Sequence, residues 1–236
     1  MILKILEQRN SVTVAELTET LHISESTARR DIAALDKAGR LTKVFGGAVC
    51  VDSVFSPSEP TVMQKSEIMR DEKRRIAKYA ASLVGPQDFV YLDAGTTTGF
   101  MIEFLTEATA SFVTNAVAHA QRLAALGRQV ILIGGTLKGT TEAVVGATAA
   151  LMLKEYHFTK GFFGTNGASK TAGFTTPDAS EALVKKTALL QCARAFVLCD
   201  HSKFNLISSV TFAPLAAAAV IADNCPAEFT GHVLIV

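Results

Sequence analysis

The hydrophobic positions of the chain follow one pattern near its start and another after residue 88. In the first 38 residues, apolar residues recur every three or four positions, as they do on one face of a helix. After residue 88, short apolar runs alternate with helical stretches, which is typical of an open parallel sheet with helices on both faces. The pattern therefore predicts a small helical domain followed by a larger α/β domain.

Three helices are predicted within the first forty residues. Residues 1–7 have helical apolar spacing, and Thr13 and Glu16 fit a capping box that opens a second helix. Ser24 is a strong candidate for the N-cap of a third helix over residues 25–38. The short break between the second and third helices is typical of a helix-turn-helix.

Residues 40–48 alternate and then turn at a glycine pair, like the hairpin of a winged helix. Hydroxyl and guanidinium groups near the start of the third helix are the types that meet phosphates and base edges. Paired arginines are also common on solvated surfaces, and capped helix pairs occur in many domains that bind no DNA. The residues predicted to contact double-stranded DNA are Ser24, Ser26, Thr27, Arg29, Arg30, Arg40 and Lys43.

The boundary between the two domains is predicted from composition. Residues 51–60 contain two prolines and three serines and follow no period, as a linker does. A helix with acidic residues in its first turn begins at about Asp71 and runs to about Leu83. The predicted organisation is a DNA-binding domain over 1–50, a linker over 51–70 and a ligand-binding domain over 71–236.

The alternation after residue 88 predicts six strands with helices between them. The predicted strands are Phe89–Leu92, Ser111–Thr114, Val130–Ile133, Gly161–Phe163, Ala195–Cys199 and Ala218–Ala222. The predicted helices are Gly99–Leu105, Ala116–Leu126, Thr148–Tyr156 and Pro177–Cys192. Ligands of such sheets bind beyond the C-terminal ends of the strands, so the residues that follow each strand are the candidates for a site.

Polar and glycine residues follow five of the six predicted strands. Residues 93–99 join a strand to a helix through small residues, so their N–H groups and threonine hydroxyls would converge on an anion. Glycine-rich turns and capping aspartates also occur in proteins that bind nothing there. The strand-end set is Asp93, Gly95, Thr96, Thr97, Thr98, Asn115, Gly134, Gly135, Lys138, Gly164–Gly167, Asp200, Ser202 and Lys203.

The composition of the chain limits which partners it can bind and in which cellular compartment it is expected. The chain of 236 residues is 49% hydrophobic and carries a net charge of +1, so any DNA contact must come from a local cluster of residues. No apolar run is long enough to predict a membrane span, and no secretion signal opens the chain. The spacing of the four cysteines fits no metal site, so we expect reduced thiols in the cytoplasm and neither a metal nor a cofactor.

The N-terminal motifs resemble those of the DeoR family of bacterial repressors. The resemblance lies in Thr13-Val14-Ala15-Glu16-Leu17, in Ser24-Glu25-Ser26-Thr27-Ala28-Arg29-Arg30-Asp31-Ile32 and in Phe45-Gly46-Gly47-Ala48. In the second half it continues through Asp93–Thr98, Thr114-Asn115, Ile133–Gly135, Gly164–Gly167, Thr175–Asp178, Glu181, Lys185 and Asp200–Lys203. It implies a repressor that binds operator DNA and responds to a phosphorylated sugar. Because the DNA-binding domain is small, we also expect a homo-oligomer, a dimer or a tetramer.

The resemblance also implies a fold and a site for the second domain. That domain of the family is similar to ribose-5-phosphate isomerase, with the threonine loop holding the phosphate. Residues 176–185 look closest to those of repressors of fructose operons, whose inducer is fructose 1-phosphate. The predicted effector-binding set is Asp93, Gly95, Thr96, Thr97, Thr98, Asn115, Gly135, Lys138, Asn166, Gly167, Asp178, Glu181, Lys185 and Lys203.

Two other functions are compatible with parts of the sequence. A sugar-phosphate isomerase needs a carboxylate base beside the sugar carbon. Residues 164–167, where the isomerase resemblance would put acidic residues, contain none, although Glu181 remains a possible base. A DNA-binding protein with a vestigial pocket is the third possibility. The helix-turn-helix favours the repressor, without catalytic residues, over the enzyme.

Overall fold

The chain forms two compact units in the computed structural model, Met1–Ser56 and Pro57–Val236. The structure describes residues 1–9, 11–38, 40–44, 46–50, 62–229 and 233–236. Gly39 and Phe45, which belong to the predicted motifs, and residues 51–61 of the predicted linker therefore lie outside the described residues. The second half of that predicted linker is largely helical.

The first unit is a helix-turn-helix with a three-stranded antiparallel sheet. Its elements are α1 (Ile2–Arg9), β1 (Ser11–Thr13), α2 (Val14–Leu21), α3 (Glu25–Lys37), β2 (Leu41–Val44) and β3 (Gly47–Cys50). The strands lie in the order β1-β3-β2. The three predicted helices and the hairpin are confirmed, and β1, which is too short to show a period, was not predicted.

Local hydrogen bonds explain where the helices of the first unit begin. The Glu16 N–H donates to Thr13 Oγ1 at 3.1 Å, and the Thr13 N–H donates to Glu16 Oε2 at 2.7 Å, which is the predicted capping box. At the start of α3, the Thr27 N–H donates to Ser24 Oγ at 3.2 Å. His22 ends α2 in the left-handed conformation, with φ of 53°, and so makes the tight turn between the two helices.

The second unit alternates strands and helices. In chain order it contains α4 (Val62–Glu67), α5 (Arg70–Ser82), β4 (Phe89–Leu92), α6 (Thr96–Met101), β5 (Ser111–Thr114), α7 (Val117–Ala125), β6 (Gln129–Leu132), β7 (Thr136–Lys138), β8 (Ala143–Val145), α8 (Ala147–Leu153), β9 (Phe158–Gly164), β10 (Gly167–Ser169), β11 (Gly173–Thr176), α9 (Ala179–Leu190), β12 (Cys192–Leu198), β13 (Val210–Ala213), β14 (Ala219–Ala222) and β15 (Val233–Ile235). Short 3₁₀ turns lie at 102–104, 201–203, 215–217 and 227–229.

The main sheet has seven parallel strands in the order β15-β14-β12-β9-β4-β5-β6. Two clusters of buried apolar side chains cover its faces, one around Phe158 and Phe163 and the other around Phe162 and Phe196. Burial on both faces accounts for the continuous apolar runs in the sequence. The predicted fold class, a winged helix-turn-helix followed by an open and mostly parallel α/β sheet, is confirmed.

Several element boundaries differ from the prediction. The helix predicted from Gly99 begins at Thr96, so two of the three expected loop threonines lie inside its first turn and the third opens it. Small antiparallel strands were missed, namely β7 with β8 and the sheet β10-β11-β13. These strands are three or four residues long, and their hydrogen bonds join segments up to 39 residues apart. Such pairings leave no local period in the sequence.

Candidate functional site

A cleft lies at the C-terminal ends of four adjacent strands in the second unit, β12, β9, β4 and β5. It encloses about 800 Å³, including space that is open to solvent. Its lining is rich in polar groups and includes four lysines. The lining residues are Val62, Lys65, Lys73, Asp93, Ala94, Gly95, Thr96, Thr97, Asn115, Thr141, Ala143, Gly164, Thr165, Asn166, Glu181, Lys185, Leu198, Asp200 and Lys203.

Asp93 and Lys185 form a buried ion pair at the floor of the cleft. Lys185 Nζ contacts Asp93 Oδ2, and the Gly164 N–H donates to the same oxygen at 3.0 Å. Lys185 also donates to the Gly164 carbonyl at 3.2 Å. Burial raises the pKa of the Asp93 carboxyl, while the Lys185 ammonium opposes that shift. The charge of Lys185 is therefore balanced by a protein carboxylate.

The loop after β4 is fixed to the neighbouring strand by Asn115. The Ala94 N–H donates to Asn115 Oδ1 at 2.7 Å, and Asn115 Nδ2 donates to the Val144 carbonyl at 3.2 Å. Asn115 therefore holds the loop in place and lines the cleft as well. Thr98 is fully buried, and its Oγ1 donates to the Asp93 carbonyl at 2.7 Å, so its hydroxyl closes the loop from within.

The opposite rim is formed by the β7–β8 hairpin and the start of α9. Glu181 Oε1 accepts hydrogen bonds from Lys138 Nζ at 3.0 Å and from Thr141 Oγ1 at 2.7 Å. Asp178 is the N-cap of α9, and its carboxylate lies 3.2 Å from Lys138 Nζ. Lys138 therefore connects the hairpin to α9 through the carboxylates of Asp178 and Glu181. Glu181 itself lines the cleft, and Lys138 and Thr141 hold its carboxylate in place.

A second group of cations lies where α4 and α5 meet the cleft. Lys73 is only 4% exposed, and its Nζ donates to the Lys65 carbonyl at 2.5 Å. Burial lowers the pKa of Lys73 to about 8; Asp200 opposes the shift, and the charges of Lys203 and Lys65 add to it. Among the described residues, neither Lys73 nor Lys203 has a carboxylate within 4.0 Å.

Nine of the fourteen predicted effector-binding residues line the cleft, and five do not. The nine are Asp93, Gly95, Thr96, Thr97, Asn115, Asn166, Glu181, Lys185 and Lys203. Of the other five, Thr98, Lys138 and Asp178 support the walls through the bonds described above. A side chain at Gly135 would meet the Val145 carbonyl at 2.9 Å, and one at Gly167 would meet the Leu206 carbonyl at 2.3 Å. Those two glycines allow close backbone packing.

Lys65, Lys73 and Thr141 line the cleft but were not predicted. Lys65 falls in the predicted linker, and Lys73 falls in a run of charged residues that is typical of a solvated helix face. A signal was available for Lys73, because it shares a helical stripe with Ile76, Ala77 and Ala80, all of which are buried.

The predicted DNA-binding residues of the first unit lie on an exposed surface. The side chains of Arg29 and Arg30 are 59% and 78% exposed. Ser26 is exposed and Thr27 is half-buried in the first turn of α3, and Arg40 and Lys43 are exposed at the hairpin. The Lys43 N–H donates to Asp36 Oδ1 at 2.8 Å, which fixes the hairpin to the end of α3.

Two further classes of site are not found in the part of the chain that the structure describes. No helix there combines the length and the apolar character that a membrane crossing requires. Those residues also bring together no group of three or more His, Cys, Asp or Glu side chains that could hold a metal ion.

A helix-turn-helix unit joined to an α/β unit with a polar cleft defines a ligand-sensing regulator of transcription. The family comparisons agree with both units: residues 1–54 match the DeoR-like helix-turn-helix domain, and residues 68–224 match the DeoR C-terminal sensor domain. The chain belongs to the DeoR family. It is a DNA-binding transcriptional repressor with a sugar-phosphate sensor domain and is not an enzyme.

Similar proteins extend over almost the whole chain. The Bacillus subtilis (strain 168) protein "Uncharacterized HTH-type transcriptional regulator FruR" is 40% identical over 95% of this chain and 89% of its own length. The "HTH-type transcriptional regulator IolR" of the same strain is 31% identical, covering 92% and 86%. The "Lactose phosphotransferase system repressor" of Staphylococcus aureus (strain NCTC 8325 / PS 47) is 34% identical, covering 94% and 89%.

Among solved structures, ribose 5-phosphate isomerase A from Methanocaldococcus jannaschii matches with a TM-score of 0.44 and 18% identity. The match covers 58% of this chain and 55% of the isomerase chain. The eIF2B delta structure from Chaetomium thermophilum also gives 0.44, with 16% identity over 59% of this chain and 51% of that chain. This chain thus spans just over half of each solved chain.

Proposed function

We propose that this protein represses a sugar-utilisation operon and leaves its operator DNA when a phosphorylated sugar binds in the cleft. Fructose 1-phosphate is the favoured effector among the candidates. The observation that carries the proposal is the cleft at the strand ends of the sensor domain, which is lined by four lysines, of which Lys185 is paired with the buried carboxylate of Asp93. A phosphate ester carries about −1.5 to −2 charges at neutral pH, and lysines are the groups that balance such a charge.

The remaining lining suits the sugar part of such a ligand. Asn166 offers both a hydrogen-bond donor and an acceptor, and the carboxylates of Asp93 and Glu181 accept hydrogen bonds from hydroxyls. Thr96 and Thr97, which belong to the loop expected to hold the phosphate, add hydroxyls to the same lining. Fixed donors and acceptors beside a cationic region distinguish a phosphorylated polyol from an apolar ligand.

The choice of fructose 1-phosphate rests on residues 176–185. Their resemblance to repressors of fructose operons covers Thr176, Asp178, Glu181 and Lys185. Thr176 Oγ1 donates to Glu181 Oε2 at 3.2 Å, so this segment supports one wall of the cleft and a change in it would alter the shape of the site. A sugar phosphate of different ring size or phosphate position should therefore bind less tightly.

For the DNA end of the mechanism, we propose that α3 enters the major groove while the hairpin of β2 and β3 rests on the phosphate backbone. The exposed arginines of α3 and the hydroxyls at its start support this assignment. A unit of this size reads a short sequence, so we propose a homo-oligomer, a dimer or a tetramer. Two α3 helices would then meet half-sites about 34–36 Å apart. Such a regulator acts on bacterial DNA in the cytoplasm.

The experiment is a thermal-shift panel followed by a gel shift. Full-length protein is melted with fructose 1-phosphate, fructose 6-phosphate, ribose 5-phosphate and unphosphorylated fructose. The best binder is then added to the complex with operator DNA. We expect a phosphorylated sugar to raise the melting temperature and to release the DNA, while fructose does neither. A cleft that no sugar phosphate stabilises would be vestigial, and the proposal would be wrong.

Lysine variants connect that response to the cleft. Lys203→Ala removes a lining cation, and Lys186→Ala removes an exposed cation one residue beyond Lys185. We expect Lys203→Ala to need about tenfold or more effector for the same thermal shift, because a hydrogen bond to a charged group contributes about 1.5–3 kcal/mol. Lys186→Ala should respond like the wild type.

A further inference from the structure

Among the residues that the structure describes, the buried cation Lys73 has no anionic partner, whereas the other buried lysine of the cleft has one. Lys185 is in direct contact with Asp93. Lys73 is buried to the same degree, yet its only direct acceptor among the described residues is the Lys65 carbonyl. An ammonium group has three donors, so two of them have no protein acceptor there. Buried ammonium groups are costly unless they are paired, so this one is arranged to meet a ligand.

The surroundings of Lys73 favour an anion. Lys203 lines the same cleft, also lacks a carboxylate within 4.0 Å in the described part of the chain, and is close enough for its charge to lower the pKa of Lys73. Asp200 is the carboxylate whose charge raises the pKa of Lys73. Its Oδ1 already accepts hydrogen bonds from the Ser202 N–H at 3.1 Å and from the Ser202 hydroxyl. Two lysines and one carboxylate that is already hydrogen-bonded therefore line the same part of the cleft.

Lys73 also connects this part of the cleft to α4. Its hydrogen bond ends on the backbone of α4, and the same helix contributes Val62 and Lys65 to the cleft lining. α4 is the first element after residues 51–61, which join the two units. The hold of the sensor domain on α4 is therefore the described contact that lies nearest in sequence to the DNA-binding unit.

We propose that Lys73 and Lys203 together bind the phosphate of the effector, and that this contact pins α4 to the sensor domain. This inference rests on the proposed function. It specifies where the phosphate of the effector binds and which helix responds to that binding. A bound dianion stabilises the charged form of Lys73, so the Lys73 bond to the Lys65 carbonyl becomes a stronger, charge-assisted hydrogen bond. Effector and α4 then hold the same ammonium group, and each stabilises the binding of the other.

The effector binds more tightly when α4 is held to the sensor domain than when it is not. Such a difference in affinity between two states is what any ligand-driven switch requires. Without effector, the mutual repulsion of the lysines weakens the tie between α5 and α4. With effector, the anion removes that repulsion, and α4 is held more firmly to α5 through the Lys73 hydrogen bond. The affinity of the effector for the pinned arrangement is then what shifts the population away from the DNA-bound state.

Hydrogen–deuterium exchange on the full-length protein tests this coupling. The probe is fructose 1-phosphate at a concentration that saturates the thermal shift, with inorganic phosphate and fructose as separate arms. We expect slower exchange in peptides that cover 62–69 with fructose 1-phosphate, a weaker effect with inorganic phosphate, and none with fructose. Unchanged exchange in 62–69, although fructose 1-phosphate shifts the melting temperature, would overturn the coupling and leave the repressor function standing.

Four variants assign the effect to the proposed residues. Lys73→Met removes the charge at similar volume, Lys73→Arg keeps it, and Lys203→Met tests the second cation. Lys78→Met is the matched control, because Lys78 is an exposed lysine on the same helix. We expect Lys73→Met and Lys203→Met to weaken fructose 1-phosphate binding by about 10- to 100-fold. Lys73→Met should also abolish the protection of 62–69, Lys73→Arg should retain part of it, and Lys78→Met should retain all of it.

The outcomes separate the two proposals. Cooperative melting of each variant establishes that it is folded. If Lys73→Met does not fold, the affinity of Lys203→Met for fructose 1-phosphate still tests the phosphate position. Wild-type binding affinity in both Lys73→Met and Lys203→Met would overturn the assignment of the phosphate position while the wild type still responds. A wild type that no sugar phosphate stabilises would instead contradict the proposed function, and the phosphate position with it.

Discussion

At the scale of single residues, the cleft holds two buried lysines in different electrostatic settings. Lys185 contacts Asp93 and donates to the Gly164 carbonyl, so its charge and its donors serve the fold. Lys73 donates to one carbonyl, and burial lowers its pKa. The first lysine shapes the floor of the cleft, and the second leaves donors for a ligand.

Removing the carboxylate of the ion pair should destabilise the sensor domain strongly. Asp93→Asn leaves the Lys185 ammonium buried without a counter-charge, and breaking a buried pair in this way costs about 3–5 kcal/mol. Urea unfolding followed by circular dichroism measures the change. Glu155→Gln, which makes the same chemical change at an exposed position, should stay within about 0.5 kcal/mol of the wild type. A loss below about 1 kcal/mol in Asp93→Asn would contradict a structural role for the pair.

Lys73 should make stability depend on pH in the alkaline range. Its pKa is about 8 in the folded protein and near the ordinary value of 10.5 in the unfolded chain. Between these values the unfolded chain binds the proton and the folded protein does not, so stability rises with pH there. Below about pH 8 both states are charged, and burial of that charge destabilises the fold by up to about 3 kcal/mol.

The difference between two proteins isolates this effect from other groups that titrate at high pH. Lys73→Met should be more stable than the wild type at pH 7, and the two should converge as the pH approaches 10.5. Urea unfolding at pH 7, 8.5 and 10 measures the difference, and Lys78→Met should follow the wild type throughout. A constant difference between Lys73→Met and the wild type across this range would be inconsistent with the shifted pKa.

The residues of the cleft that follow a strand could be predicted from the sequence, and those that reach it through tertiary packing could not. The strand-end positions were predictable, because β4, β5 and β9 have clear apolar runs and parallel strands end at one edge of the sheet. The buried stripe of α5 indicates that Lys73 is buried, but it does not indicate that the packing of α5 brings Lys73 to the cleft. Thr141 was missed for a similar reason, since it depends on a hairpin whose strands have three residues each.

At the scale of elements, α3 is the part of the DNA-binding unit whose role can be measured most directly. Ile32 and Ala28 bury one face of this helix, and its two arginines lie on exposed positions. The helix was predictable to within one residue because its cap and its apolar stripe are local. Strand β1 was not predictable, because its three residues are ordered by pairing with β3, whose partner residues lie 34–38 positions away in the sequence.

Arg30→Ala should weaken DNA binding and change its salt dependence. Each phosphate contact releases counterions, so the loss of one contact lowers the slope of log K against log salt by about 1. Fluorescence anisotropy with operator DNA at four salt concentrations measures both quantities. Lys37→Ala, which removes an exposed charge at the other end of α3, is the control. An unchanged affinity and slope in Arg30→Ala would place Arg30 away from the DNA.

At the scale of the whole molecule, the division into two units predicts two thermal transitions. The chain separates into Met1–Ser56 and Pro57–Val236, each with its own buried apolar core. Effector should stabilise only the sensor unit, by about 2.7 kcal/mol at 100 times its dissociation constant. Differential scanning calorimetry with and without fructose 1-phosphate measures this. A single transition that shifts as a whole would show instead that the two units unfold together.

The low pKa of Lys73 has a chemical consequence as well. At pH 8 about half of this amine is unprotonated, whereas an ordinary exposed lysine is almost entirely charged. The neutral amine is a nucleophile that attacks an aldehyde carbon and forms an imine with loss of water. Pyridoxal phosphate carries both an aldehyde and a phosphate, so it should label Lys73 ahead of the exposed lysines. Borohydride reduction and peptide mass mapping would then give a direct readout of the occupied cleft, because a bound sugar phosphate protects this amine from the reagent.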